Sequence, residues 1–159
     1  MRAGLISDTH NLLRPDVLTH FEGVDLILHA GDVGHPDILA ELATLAPVHA
    51  VFGNTDGFAV RDIAGAQLEL ELEGWKVLVT HGHEFGSPKP ELLVGAYQGR
   101  DIIIYGHTHQ PLIDTVAGVL VINPGAAGPA RFDLSPSIAI LSLEPGQRHV
   151  RHIALEKNG

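Results

Sequence analysis

The sequence predicts an α/β fold: a four-layer α-β-β-α sandwich in which two mixed sheets carry helices on their outer faces. Two observations lead there. Through the first half of the chain, apolar strand-like runs alternate with proline-opened helices, which implies parallel strands joined by crossovers. From Pro111 onward the chain reads almost entirely as strands. The length of 159 residues suits a single domain, spanning 1–159, with a proper core.

Arg2–Ser7 is a buried strand. Pro15 opens a helix with Leu13, Val17, Leu18 and Phe21 on one face. Val24–His29 is the second strand. Pro36 starts a second helix, whose Ile38, Leu39, Leu42 and Leu45 recur at helical spacing. Val48–Phe52 is the third strand. Gln67–Leu72 alternates polar and apolar residues and pairs with Trp75–Thr80 through a turn at Glu73-Gly74. Pro90 begins a third helix with Leu92, Leu93, Ala96 and Tyr97. Asp101–Tyr105 is another buried strand. Leu112–Val116, Val119–Ile122, Ile138–Leu143 and His149–Leu155 complete the strands, with a tight turn at Gly118. Gly57–Gly65 and Gly125–Pro136 read as the longest irregular stretches, placed to rim a site.

Composition narrows the function. A hydrophobic content of 45% argues for a globular chain. Cysteine is absent, which excludes disulfides and thiolate metal sites. No apolar run approaches the ~20 residues of a membrane span, and the N-terminus does not read as a signal peptide. These features lead to the expectation of a cytoplasmic protein without membrane contact. A net charge of −9 disfavours non-specific nucleic-acid binding.

Chemistry concentrates in five short motifs: Asp8 and His10 in SDTH, Asp32 in HAGD, Asn54 in FGNTD, His81 in THGH, and His107 with His109 in YGHTH. Most follow an apolar run and sit beside glycine. That places Asp, Asn and His side chains at strand ends, where loops converge. Oxygen and imidazole ligands suit Mn, Fe, Ni, Zn or Co. Seven such groups exceed the needs of one tetrahedral ion, whereas two ions sharing a carboxylate would use them all. Two ions about 3.5–4 Å apart clamp a phosphoryl group for in-line attack. Taken singly, each motif has a blander reading. A Gly-Asp pair is usually a turn, an Asn-containing turn needs no ligand, and a lone histidine is usually surface or packing. If Asp8 and His10 lie on extended chain, their side chains point the same way. His29 reads as a core histidine or a support for a ligand. His20, His35, His49, His149 and His152 read as surface or packing residues. His83 either touches substrate or supports its loop.

All five motifs in order resemble the calcineurin-like metallophosphoesterases, and especially the small bacterial and archaeal phosphodiesterases among them. The resemblance runs from Ile6 to INPGAAG at Ile122–Gly128. It implies a metal-dependent phosphoesterase, with a phosphodiesterase favoured, that uses a hydroxide bridging two divalent ions as nucleophile. Mn is the first choice of metal, with Ni, Fe, Zn, Co and Mg as alternatives. One ion would take Asp8, His10, Asp32 and His109, and the other Asp32, Asn54, His81 and His107. The implied substrate is a small phosphoester, and homo-oligomers are common among such proteins. One departure stands out. Many members have His after the Asn, where it assists the leaving group, and this chain has Thr55. A hydroxyl is a poor general acid at neutral pH, so His83 or solvent is left to supply that proton. A phosphomonoesterase or pyrophosphatase with the same site, and a non-catalytic scaffold on the same fold, are the alternatives.

Overall fold

The computed structural model describes residues 1–131 and 133–157. The first sheet holds β1 (Arg2–Ile6), β2 (Leu26–His29), β3 (Val48–Ala50), β9 (Ser137–Glu144) and β10 (Gln147–Ala154), in the order β10-β9-β1-β2-β3. The second holds β4 (Gln67–Leu72), β5 (Trp75–Thr80), β6 (Ile102–Ile104), β7 (Leu112–Val116) and β8 (Val119–Asn123), in the order β4-β5-β6-β8-β7. Both sheets are mixed. β1, β2 and β3 run parallel, as do β5, β6 and β8, and the remaining pairs are antiparallel.

The period-2 pattern of the strands sets the layers. Ala3, Leu5, Leu26, Leu28, Leu141 and Leu143 face across to Val77, Val79, Ile102, Ile104, Leu120 and Ile122, forming the core between the sheets. The alternate residues Ile6, Ile27, Ile138 and Ile140 face outward, beneath α1 (Pro15–His20) and α2 (Pro36–Leu42). On the other side, Leu78, Ile103, Tyr105 and Val121 meet Leu93 of α4 (Pro90–Ala96). Helices therefore cover both outer faces, giving the four predicted layers. Strands such as β6 are buried on both faces, which is why they read as unbroken apolar runs. Burying each of the Val, Leu and Ile side chains among these stabilises the fold by about 1.5–3 kcal/mol.

Proline occupies the first turn of α1, α2 and α4, where its missing N–H costs nothing. Val17 and Phe21 are fully buried, and the Phe21 ring lies against Gly4 so closely that any Cβ there would collide with it. Two expectations need correction. Gly57–Gly65 is not irregular throughout, because Phe58–Arg61 form a short helix, α3, whose Val60 docks on the outer core. A four-residue helix is too short to leave a periodic signal. In α4, which is consequently the fourth helix, Leu92 is 49% exposed, and the buried residues are Pro90 and Leu93.

Candidate metal centre

The two parallel strand triplets end at the same edge of the sandwich, and the loops leaving them carry every candidate ligand. Asp8 and His10 follow β1, Asp32 follows β2 and Asn54 follows β3. His81 follows β5, and His107 and His109 follow β6. Ligands collect at the carboxyl ends of strands in open α/β sheets, and here two sheets contribute to one edge.

The loops do not leave as extended chain. Asp8, His10, Asp32, His107 and His109 all have positive φ, between 44° and 69°. The expectation that Asp8 and His10 align because they lie two apart on extended chain is therefore wrong. Left-handed turns, not strand periodicity, aim them. Non-glycine residues rarely adopt this conformation, and they persist in it only where the surroundings hold them.

Two groups result. The ligand atoms of Asp8, His10 and His109 lie within 4.8 Å of one another, and so do those of Asp32, His81 and His107. His10 Nε2 is 3.3 Å from His109 Nε2. The carboxylates sit between the groups. Asp32 Oδ2 is 3.2 Å from His81 Nε2 and 3.7 Å from His10 Nε2. Asp8 Oδ1 is 3.4 Å from His109 Nε2, 3.6 Å from His10 Nε2 and 3.9 Å from His81 Nε2. Asn54 Oδ1 reaches His81 Nε2 at 3.1 Å. His83 lies in a 3-10 turn after Gly82, with its ring centroid 5.4 Å from that of His81 and 6.4 Å from that of His107. It belongs to neither group.

The atoms left free identify what fits. Asp8 Oδ2 accepts from Ser7 Oγ at 2.6 Å and from the His107 N–H at 3.1 Å, whereas its buried Oδ1 has no hydrogen-bond partner among the described residues. His81 Nδ1 donates to the Ala30 carbonyl at 2.8 Å, so Nε2 faces Asp32 and Asn54 with its lone pair when the ring is neutral. Asp32 Oδ1 accepts from the Thr55 N–H at 3.0 Å, which leaves Oδ2 facing the histidines. An orphaned carboxylate oxygen ringed by imidazole nitrogens is costly in a buried place unless a cation joins it. The donor set fits divalent ions that accept mixed oxygen and nitrogen ligands.

Electrostatics agrees with the geometry. Burial pushes both carboxyls up, but their partners outweigh it. His10, His109, His81 and Ser7 hold Asp8 well below the usual carboxylate range, and His81 and Thr55 bring Asp32 to about 2. Burial pushes His81 down, yet Asp32 and Asp8 raise it above an ordinary histidine. His107 is lowered by burial and by the charge of His81. His29 is fully buried and brought down to about 4, chiefly by desolvation. Its Nδ1 accepts from the Gly31 N–H, and its Nε2 meets Thr9 Oγ1, whose proton goes to the Val33 carbonyl. It supports the β2 loop, with both ring nitrogens engaged.

Three supporting residues escaped the motif reading. Ser7 precedes Asp8. Asp56 accepts the N–H groups of Val33, Gly34 and Gly53, tying the β2 and β3 loops together. Asn123 ends β8 with the same signature as the ligand motifs, a polar residue after an apolar run and close to glycine. Of the other histidines, His35, His49 and His149 are exposed, and His20 and His152 are half-buried.

The calcineurin-like phosphoesterase superfamily domain matches residues 1–146. A probable metallophosphoesterase of Methanothermobacter thermautotrophicus is 38% identical over 151 residues, covering 91% of this chain and 87% of that protein. A phosphodiesterase of Methanocaldococcus jannaschii is 31% identical over 172 residues, covering 98% and 100%. Among solved structures, one described as a novel archaeal phosphodiesterase superposes with a TM-score of 0.80 at 31% identity, covering 98% of this chain and all of that one. The zinc complex of Vps29 from Entamoeba histolytica has the same fold, with a TM-score of 0.80 at 24% identity, covering 97% and 99%. With the match spanning most of its length, this chain belongs to the calcineurin-like phosphoesterase superfamily.

Proposed function

We propose that the chain is a dinuclear metal-dependent phosphodiesterase whose centre is held by Asp8, His10, Asp32, Asn54, His81, His107 and His109. The observation that carries this reading is the pair of ligand groups at one edge of the sandwich, with the Asp32 carboxylate between them. Asp8, His10 and His109 would hold one ion and Asn54, His81 and His107 the other, with Asp32 contributing to both. When bound, the ions lower the pKa of a water for attack at phosphorus and neutralise charge on the phosphoryl oxygens. Mn²⁺ is the proposed resident ion.

The side chains orient the substrate. The Asn54 amide offers its oxygen to an ion and its NH2 to a phosphate oxygen. His83 has side-chain exposure of 29% and a ring beside His81, which suits it to give a proton to the departing alcohol. Thr55 cannot take that role. Its hydroxyl is a poor acid at neutral pH, and both carboxylate oxygens of Asp56 are committed to backbone N–H groups. A site without a strongly oriented acid favours good leaving groups. A diester monoanion also avoids the tight ground-state binding of a monoester dianion, which does not raise turnover. The retained set of seven side chains favours catalysis over a scaffold role.

The test is kcat/KM for matched aryl diesters and monoesters after reloading with Mn²⁺, Ni²⁺, Mg²⁺ or Zn²⁺. Faster diester turnover is expected. Equal or faster monoester turnover would replace this reading with that of a general phosphatase.

A further inference from the structure

We infer that Asn123 is the positioning residue for both histidines of the GHTH loop, and that through them it sets the affinity of both ion sites at once. Asn123 lies at the end of β8, fully buried, with no ligand role of its own. Its side-chain NH2 donates to the Gly106 carbonyl at 3.1 Å and to Thr108 Oγ1 at 3.0 Å. Its Oδ1 accepts from the Gly125 N–H at 2.9 Å. The side chain thus grips the residue before His107 and the residue between His107 and His109. Its own backbone carbonyl is held in turn by His152 Nε2 at 2.7 Å, from β10 in the opposite sheet.

That grip matters because of what it holds. His107 and His109 are both left-handed, at φ 69° and 64°, a conformation that unrestrained histidine disfavours. Gly106 sits so close to Ser7 and Asp8 that a Cβ there would strike both side chains, so the loop has no slack towards β1. His107 belongs to one ligand group and His109 to the other. A single amide therefore fixes one histidine of each site. Groups that orient metal ligands typically change affinity by about 10- to 100-fold when lost.

This inference rests on the two-metal reading, and Asn123→Asp separates the two. Aspartate keeps the volume and the acceptor for Gly125 but cannot donate to Gly106. The readout is ion binding itself: calorimetric titration of the chelator-stripped protein with Zn²⁺, and the visible absorption of Co²⁺, at a temperature where circular dichroism reports a folded variant. Both sites are expected to weaken together, by about 10-fold or more, with a changed Co²⁺ spectrum. Thr108→Val removes one acceptor only and is expected to give a few-fold loss of the same kind, which keeps the test available if the aspartate variant does not fold. Two ions bound by the wild type and by the variants with equal affinity would overturn the inference alone, even if the variants melt earlier. A wild type that binds no ion would overturn the two-metal reading and this inference with it.

Discussion

Asp56 offers the sharpest test of how the site is braced. Its carboxylate accepts three backbone N–H groups, from Val33 at 3.1 Å, Gly34 at 2.9 Å and Gly53 at 2.9 Å, and the residue is only 5% exposed. Asp56→Ala strands all three donors. A buried donor left without a partner costs about 1–3 kcal/mol. Gly34 lies at the margin of the buried region, and water entering the vacated space recovers part of the loss. The expected destabilisation is about 3–5 kcal/mol, a large share of the 5–15 kcal/mol typical of a folded domain. Asp56→Asn keeps one acceptor oxygen and turns an NH2 towards a donor, so about 1–2 kcal/mol is expected, less if the retained oxygen serves the Val33 and Gly53 donors. Equilibrium urea unfolding with chelator present measures both, because stripping the protein removes stabilisation by bound ions. A cost for Asp56→Ala below about 1 kcal/mol would show that the carboxylate does not brace these loops.

Four further outcomes are expected. His29 is brought to about 4 in the folded state against 6.5 when free, so the unfolded chain binds the extra proton between those values. Stability that is fully present above pH 6.5 is then lost as pH falls towards 4, by about 3 kcal/mol in all, and a flat urea-unfolding profile across that window would refute it. Asp32→Asn should weaken both ions together, since it removes a charge from each; elemental analysis of a reloaded sample with two ions still bound would count against the shared carboxylate. Asn54→Ala should slow turnover roughly a hundredfold while leaving the melting temperature within a few degrees, because Asn54 is exposed and the other ligands persist; unchanged kcat at saturating metal would reduce it to a turn residue. Thr55→His should raise turnover of alkyl esters by less than about tenfold, because Asp56 is already committed and cannot orient the new ring; a much larger gain would mean that Asp56 gives up its backbone partners.

The local pattern of the chain carried most of the fold. Alternation along β4 and unbroken apolar runs such as Ile102–Ile104 report burial on one face or two. Prolines 15, 36 and 90 mark helix starts because a missing N–H is harmless only there. The candidate ligands were equally legible, since Asp, Asn and His beside glycine after an apolar run is a pattern of types and order. What remained hidden was set by long-range geometry. The shared edge of two parallel triplets depends on how the sheets face each other across the core. The division of His107 and His109 between two groups was implied by the family resemblance alone, and the left-handed turns that produce it are encoded by no periodicity. Asp56 looks like an ordinary turn residue in the chain and Asn123 like one more polar residue at a strand end, and their roles arise from backbone groups contributed by distant segments. Hydrogen bonds between loops separated by tens of residues leave no mark on local composition, so only the tertiary structure could assign them.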